Sequence, residues 1–142
     1  MSMPVTYEPG VRLSWHRQVT ARWAVVTARL LILLPPRRLA RVLRLLSKGA
    51  RPATTAQALS ARQAAVTVSA RCSGQGCLQR SVATVLQCRL WGRWPDWCTG
   101  IRTQPFRAHA WVEVDGVAVG EQGDMTPYHT TMTVRLRPGN RS

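Results

Sequence analysis

The sequence predicts an α+β fold in which N-terminal helices are followed by a small antiparallel sheet. Apolar residues recur at the helical period of about 3.6 residues as far as Trp91. Beyond Trp94-Pro95 they alternate with polar residues instead, which is typical of strands. The pair Asp115-Gly116 stands between two such runs and favours a hairpin turn. Helices that precede hairpin-connected strands are the pattern of α+β proteins.

The chain has the length of one domain. Its 142 residues, of which 45% are apolar, suffice for one hydrophobic core. Residues 1–56 form an N-terminal helical region that ends with a loop at 47–55, and residues 57–142 form the remainder. We expect the two parts to pack into one compact unit.

The first two predicted helices meet at a pair of prolines. Residues 1–12 read as extended or irregular chain, and helical spacing begins near Ser14. That helix ends by Leu34, because the rings of Pro35-Pro36 remove a donor and restrict the preceding residue. The second helix, about 37–48, alternates leucine and valine with four arginines and is therefore basic and amphipathic.

Two further helices are predicted before the sheet. Thr54 or Thr55 can cap the third helix, which runs to about Ala70. The run RCSGQGC, with its two glycines, favours a turn. The fourth helix follows over about 77–91. The apolar residues of its inner side are Leu78, Val82, Val85 and Leu86.

Four segments near the C-terminal end of the chain read as strands. Their alternating apolar and polar residues, rich in Val, Thr and Trp, favour extended chain. The segments are 97–102 (WCTGIR), 108–116 (AHAWVEVDG), 117–121 (VAVGE) and 131–138 (TMTVRLRP).

The net charge of +14 lies entirely in the first two thirds of the chain. Residues 1–93 hold fourteen arginines and one lysine against a single acid, Glu8, whereas residues 94–142 hold five arginines and five acids. A basic surface favours an acidic peptide or protein partner. The basic residues form no motif with interleaved aromatic residues, and we therefore expect no nucleic-acid partner.

The cysteines are expected to stay reduced in the cytoplasm. They form an even set, Cys72, Cys77, Cys88 and Cys98, which would suit two disulfides in a secreted protein. However, the apolar run at 23–34 contains an arginine and lacks the small residues of a signal-peptide cleavage site. The run is also shorter than the roughly 20 residues that cross a bilayer, so no stable membrane insertion is expected.

Cys77 has the placement of a reactive thiol. It follows Gly74 and Gly76 and begins a predicted helix, where unpaired amides and the helix dipole favour a thiolate. A small buried residue in a turn would explain the same placement. Cys88, about three helical turns further on, reads as a core residue. The cysteines lack the paired spacing of zinc ligands, and neither a metal nor a cofactor is expected.

His109 lies inside a predicted strand and is a candidate base. Trp111, Glu113 and Asp115 point to the same side as His109 and form a polar face, while the alternate alanines and valines form the packed face. At ~3.3 Å per residue, Glu113 and Asp115 lie roughly 13 and 20 Å along the strand from His109. Neither carboxylate can reach the imidazole.

The carboxylate for His109 must therefore come from the returning strand, and Glu121 is the predicted source. In a two-residue turn, Glu121 would oppose Ala110 and point to the apolar face. A three-residue loop over 115–117, with a bulge, shifts the register by one and places Glu121 diagonal to His109, ~5–8 Å between Cβ atoms. Asp124 would then lie on the wrong face. The pairing of His109 with Glu121 is expected to depend on this bulge.

The three candidate residues have the chemistry of a thiol hydrolase. A cysteine at a helix start, a histidine on a strand and a carboxylate on the next strand supply a nucleophile, a base and an orienting acid. Amides at the helix terminus can stabilise the oxyanion. The order Cys77, His109, Glu121 along the chain is that of papain-like and transglutaminase-like folds.

Two sequence blocks carry a more specific resemblance. With CLQRSVA at 77–83 and FRAHAWVEVDGVAVGE at 106–121, the chain resembles the transglutaminase-like leader peptidases of lasso-peptide biosynthesis, in the form without a fused leader-recognition domain. The resemblance extends over residues 60–140, roughly. It implies a transglutaminase/papain-like cysteine protease core in residues 57–142. The helical region 1–56 could then contact the leader or a partner protein.

The resemblance also implies roles for the site residues. Cys77 matches the nucleophile and His109 the base, and Glu121 occupies the acid position, which is often aspartate in the family. Gln75, which no motif supports, is an additional candidate donor to the oxyanion.

The implied activity is hydrolysis of the bond between leader and core in a ribosomally synthesised lasso-peptide precursor. A small separate protein that binds the leader would deliver the substrate, and a separate ATP-dependent cyclase would close the ring on the freed core amino group. Two other functions stay open on the residues alone. The chain could be a basic peptide- or nucleic-acid-binding module without catalysis, or a transglutaminase-like acyl transferase, because hydrolase and transferase share the acyl-enzyme.

Overall fold

The computed structural model describes residues 9–121 and 123–136. Its helices are α1 (Trp15–Leu31), α2 (Pro36–Ser47), α3 (Thr55–Val68), α4 (Ala70–Ser73) and α5 (Cys77–Leu90). Its strands are β1 (Arg51–Pro52), β2 (Arg93–Trp94), β3 (Asp96–Thr103), β4 (Phe106–Val114), β5 (Val117–Ala118) and β6 (His129–Val134). A four-stranded antiparallel sheet has the order β5-β4-β3-β6, and β1 and β2 form a parallel pair. The α+β prediction is confirmed.

Local signals place the helix ends. α1 ends at Leu31, and residues 32–34 form a tight turn instead of the predicted last helical residues. The following Pro35 explains the early end, because the residue before a proline avoids helical conformation. Thr54 caps α3, and its side chain and that of Gln57 form a reciprocal capping box.

The predicted glycine turn is shorter than expected. Ser69 caps the four-residue helix α4, and its Oγ accepts the N–H of Cys72 at 3.3 Å. Only residues 74–76 are left as the turn that leads into α5. Ser69 is a favourable N-cap residue and could have indicated α4. The nearby glycines favoured the prediction of a turn instead.

α5 is the central helix of the fold. Its residues from Gln79 to Cys88 are all buried, and it packs against α1, α3 and β4. Val82 and Val85 are fully buried, as predicted, whereas Leu78 is only partly buried. The prediction of Cys88 as a core residue is confirmed.

α2 is amphipathic, as its sequence predicts. Leu39 and Leu43 are buried. The arginines of the helix are exposed, and they are Arg37, Arg38, Arg41 and Arg44. The positive face of this helix is therefore open to solvent.

β3 and β4 form the centre of the sheet. Their register places Gly100 opposite His109. Trp97 on β3 has no exposed surface, and its indole N–H donates to Ser81 Oγ on α5 at 3.0 Å. The buried ring and its hydrogen bond hold the sheet against α5.

The hairpin between β4 and β5 does not contain the predicted bulge. Val114 pairs with Val117 across a two-residue turn, in which Asp115 and Gly116 have positive φ of 53° and 78°. An Asp-Gly pair favours this tight turn, because glycine adopts positive φ without strain. β5 then ends at Ala118, three residues before the predicted end of the strand. The predicted three-residue loop is therefore wrong.

The two ends of the chain fit the predictions only in part. β6 begins at His129 rather than at 131, and the predicted strand residues 137–138 lie outside the described chain. Residues 9–12 have no helix or strand, while 1–8 lie outside the described residues. None of the helices in the described part of the chain is long and apolar enough to cross a membrane.

Candidate active site

Cys77 is the first residue of α5. The chain reaches it through Gly76, whose N–H donates to Arg71 O at 2.8 Å. A Cβ on Gly76 would lie 2.6 Å from the same oxygen, so the turn requires glycine. The thiol consequently lies at the helix N-terminus and is partly exposed. Gln75, the candidate oxyanion donor, is exposed in this turn, and its role stays a prediction.

Arg80 holds the turn that precedes Cys77. Its side chain is buried, and Nη1 donates to Cys72 O at 2.9 Å and to Gly74 O at 3.3 Å. Arg80 is part of the sequence block CLQRSVA, but no role was predicted for it. The available signal was an arginine in an otherwise inward-facing helix, where a buried cation needs carbonyl or carboxylate partners.

The structure brings His109 and Glu121 together. His109 Nε2 and Glu121 Oε2 are 2.9 Å apart, and both side chains are less than a tenth exposed, at 8% and 9%. The other ring nitrogen, Nδ1, is buried and makes no hydrogen bond of ordinary length within the described residues. The Cys77 thiol lies beside the ring, and each group shifts the pKa of the other. The three predicted site residues thus meet in one place.

Gly120, rather than a bulge, turns Glu121 toward His109. The antiparallel register persists as far as Val119, whose N–H donates to a β4 carbonyl at 2.9 Å. Gly120 then has a φ of 70°, which ends the alternation of side chains just before Glu121. A Cβ on Gly120 would lie 2.7 Å from Cδ of the buried Arg62, so a larger residue here would have to displace this side chain of α3. Glu121 is thus the hydrogen-bond partner of His109, as predicted, but the positive φ of Gly120 and not a bulge brings it there.

The other carboxylates of this region are engaged elsewhere. Glu113 accepts the indole N–H of Trp111 at 2.9 Å. Asp124 accepts the backbone N–H two residues further on, also at 2.9 Å. Asp115 lies in the exposed hairpin turn. Glu121 is therefore the acid that the geometry assigns to His109.

Two aromatic rings cover His109. Trp111 stacks on the imidazole with 5.9 Å between ring centroids, and the Tyr128 ring lies 5.6 Å from it. Because Trp111 is only 4% exposed, this side of β4 is not the open polar face that alternation predicts. Ala108, predicted on the packed face, is exposed. Sequence reasoning missed Tyr128, because its loop approaches β4 only in the folded chain.

The electrostatics favour a charged thiol and imidazole. Burial raises the pKa of the Cys77 thiol, but the neighbouring His109 ring and the Ala110 backbone act against burial, and the pKa is lowered overall. The positive charges of His109 and Arg80 act in the same direction. Burial lowers the pKa of His109, but the neighbouring Cys77 thiol and the Glu121 carboxylate raise it to about 9. The pKa of the thiol and that of the imidazole thus shift in opposite directions, which favours the thiolate-imidazolium form of the pair.

The acid is also held in its charged form. Burial raises the pKa of the Glu121 carboxyl, but the hydrogen bond with His109 and the charge of that ring lower it overall. Arg62 and Arg80 add positive charge nearby. Glu121 therefore carries a negative charge beside the imidazolium at neutral pH.

Cys77 differs from the other cysteines in exposure and in electrostatics. All four are free thiols, but Cys72, Cys88 and Cys98 are fully buried. Burial raises the pKa of each, to about 12 for Cys88 and Cys98. No group of three or more potential metal ligands occurs among the residues that the structure describes. Of the four thiols, Cys77 is the one with a lowered pKa.

Open space lies on both sides of the thiol and the imidazole. A groove of about 550 Å³, here the apolar groove, has Cys77 and His109 in its wall beside Leu78, Ile101 and Met132. A recess of about 200 Å³, here the cationic recess, adjoins the other side of His109 and is lined by three arginines. His109 is the residue that the two cavities share.

The order of elements and the site define a class of protein. A central helix that begins with a cysteine, beside a sheet that carries a histidine and an acid, is the arrangement of thiol enzymes that act through an acyl-enzyme. The family model of the transglutaminase-like superfamily matches residues 21–133, from within α1 to within β6, and the chain belongs to this superfamily. No curated protein and no solved structure matches it. Membership supports a function of the cysteine-protease or acyl-transferase type.

Proposed function

We propose that this protein is a cytoplasmic cysteine protease that removes the leader peptide from a ribosomally synthesised lasso-peptide precursor. The observation that carries the proposal is the joint arrangement of Cys77, His109 and Glu121, with a lowered thiol pKa and an imidazole held through Nε2. The blocks CLQRSVA and FRAHAWVEVDGVAVGE, which resemble those of lasso leader peptidases, support the choice of substrate.

Cleavage begins with attack of the Cys77 thiolate on the carbonyl carbon of the bond between leader and core. As the C–S bond forms, the carbonyl oxygen takes the electron pair, and amides at the N-terminus of α5 stabilise this oxyanion. Protonated His109 then donates from Nδ1 to the core nitrogen as the C–N bond breaks. A buried Nδ1 without another hydrogen bond within the described residues suits this step.

Water completes the cycle. Neutral His109 takes a proton from water, the oxygen attacks the thioester, and the C–S bond breaks to restore the thiolate. Glu121 holds Nε2 throughout and stabilises the imidazolium. The products are a leader with a free carboxylate and a core with a free amino group, which a separate ATP-dependent cyclase uses for ring closure.

A separate leader-binding protein is part of the proposal, and α1 offers a surface for it. Six large apolar side chains on α1 and the turn after it are between 48% and 74% exposed, and they are Trp15, Val19, Trp23, Val26, Leu30 and Leu33. A spacing of three or four residues aligns them along one side of the helix, here the α1 stripe. Residues 9–95 contain no acidic residue. The α1 stripe therefore fits a partner whose apolar patch is bordered by carboxylates.

Mass spectrometry of a precursor incubated with this protein and its leader-binding partner tests the proposal. Wild-type protein should release leader and core, whereas Cys77→Ala should release neither. Cys88→Ala is the matched control, because it removes a thiol that is buried in the core. Release of core by Cys77→Ala at the wild-type rate would end the proteolytic proposal.

The same reaction distinguishes hydrolysis from acyl transfer, which the superfamily also supports. Both pass through a thioester on Cys77, and they differ in the group that resolves it. In the presence of a small primary amine, a hydrolase yields leader with a free carboxylate. A transferase yields leader that has gained the mass of the amine.

A further inference from the structure

Arg102 on β3 and Arg107 on β4 lie directly opposite each other in the sheet. Like charges in opposed positions destabilise a sheet, and an anion bound between them removes the repulsion. Neither arginine forms an ion pair with a carboxylate of the described chain. The two guanidinium groups can therefore bind an anion.

Both arginines line the cationic recess beside His109. Arg102 is held in place, because its Nε donates to Pro105 O at 3.2 Å and its guanidinium carbon lies 5.7 Å from the centre of the Tyr128 ring. These contacts use Nε and the face of the guanidinium. The terminal nitrogens, which bind carboxylates in pairs, are not part of them.

Positive charge exceeds negative charge in the recess. Its two carboxylates are Glu121, which bonds to His109, and Asp124, which accepts the N–H of Thr126 and is exposed. Arg80 adds a third guanidinium to the wall, with one of its nitrogens bound to backbone carbonyls. The recess thus presents cations a short distance from the catalytic pair.

We infer that the cationic recess binds an acidic side chain of the peptide substrate close to the scissile bond. Two opposed guanidinium groups match a carboxylate in shape and charge. Because His109 is in the same wall, the acidic residue lies within about three residues of the scissile bond, at ~3.3 Å per residue. The substrate preference rests on the proposed proteolytic function, whereas the anion site does not.

Alkylation of Cys77 tests the anion site without any peptide. Iodoacetate carries a carboxylate and iodoacetamide is neutral, while the same thiolate displaces iodide from both. The ratio of the two rates therefore cancels any change in thiol reactivity. In the double variant Arg102→Gln/Arg107→Gln we expect the iodoacetate-to-iodoacetamide ratio to fall about tenfold, the lower end of the enhancement that a charged cleft gives.

Arg22→Gln/Arg51→Gln is the matched control for this experiment. It removes the same charge from two exposed positions that do not line the recess. Its ratio should stay within about twofold of wild type, because salt screens distant surface charges. An unchanged ratio in the recess variant, or an equal fall in both double variants, would overturn the inference.

Peptide cleavage tests the substrate preference. Precursor peptides are compared with Glu or Gln at each of three positions on either side of the scissile bond. At one position, wild-type kcat/KM should be about tenfold higher with Glu, and Arg102→Gln/Arg107→Gln should abolish the difference. Equal rates at all positions would overturn the preference. If no peptide is cleaved, the proteolytic function fails, and the alkylation ratio still decides the anion site.

Discussion

The imidazole of His109 lies between two groups that both favour its protonated form. Since the neighbouring Cys77 thiol and Glu121 carboxylate raise its pKa to about 9, the proton needed by the leaving nitrogen is present throughout the neutral range. The thiol pKa is shifted in the opposite direction, below its ordinary value of 9.0. The thiolate and the proton donor therefore coexist over a window of pH instead of excluding each other.

This window predicts different pH profiles for cleavage and for alkylation. Cleavage, measured as kcat/KM, should rise as Cys77 ionises below pH 9.0 and should fall as His109 loses its proton near pH 9. Alkylation by iodoacetamide needs only the thiolate and should not fall there. Cleavage that stays constant well above pH 9 would exclude His109 as the proton donor.

Glu121→Gln should lower kcat/KM by about 10²-fold or more, because an amide no longer stabilises the imidazolium and no longer fixes the tautomer. The falling limb of the pH profile should also move to lower pH, since the carboxylate is one of the causes that raise the pKa of His109. Asp115→Asn and Asp124→Asn are controls that remove a charge without touching the imidazole. A loss in either control as large as that of Glu121→Gln would reject Glu121 as the orienting acid.

Gly120→Ala should lower the free energy of unfolding by about 2 kcal/mol or more, from positive φ and from steric overlap with Arg62. Gly123→Ala shares the positive φ, at 102°, but a Cβ there meets no atom within 4 Å, so about 1 kcal/mol is expected. Chemical denaturation measures both. Equal losses of unfolding free energy in the two variants would show that overlap with Arg62 does not add to the effect of the positive φ at Gly120.

At the scale of the element, the start of α5 depends on Arg80 as much as on glycine. Arg80→Met should raise the thiol pKa of Cys77, because it removes a positive charge and releases the turn carbonyls. Arg80→Lys keeps the charge but lacks the guanidinium group that binds both turn carbonyls. Its thiol pKa should lie between those of the Met variant and the wild type. The pH dependence of iodoacetamide alkylation measures the shift, with circular dichroism to verify folding. An unchanged profile in a folded Met variant would deny Arg80 this role.

The elements that the sequence predicts well are those with local signals. Thr54 and Pro35 act on the residues next to them, so the start of α3 and the end of α1 follow from short stretches of sequence. The register of Glu121 is different, because Gly120 is shaped by packing against Arg62, which is distant in sequence. Tyr128 likewise reaches His109 only through tertiary contact. The contact between His109 and Glu121 agrees with the prediction, but the backbone path that brings Glu121 to the ring does not.

At the scale of the whole molecule, the net positive charge and the α1 stripe both lie within the first two thirds of the chain. Trp23→Gln/Val26→Gln should weaken binding of the leader-binding partner and slow precursor cleavage, while alkylation of Cys77 keeps its rate. Binding should also weaken as salt rises, because the partner is expected to be acidic. Val117→Gln, at a 68% exposed position on the hairpin, is the control. Equal binding by the α1 stripe variant and the control would show that the partner does not bind the α1 stripe.

The contrast among the four thiols gives the protein a built-in active-site titrant. Three thiols are buried and have a raised pKa, whereas Cys77 is partly exposed and has a lowered pKa. An excess of alkylating reagent, applied briefly, should therefore add a single equivalent to each correctly folded molecule, whereas an unfolded chain offers four thiols. The stoichiometry of labelling then reports the fraction of correctly folded molecules in a preparation before any substrate is known.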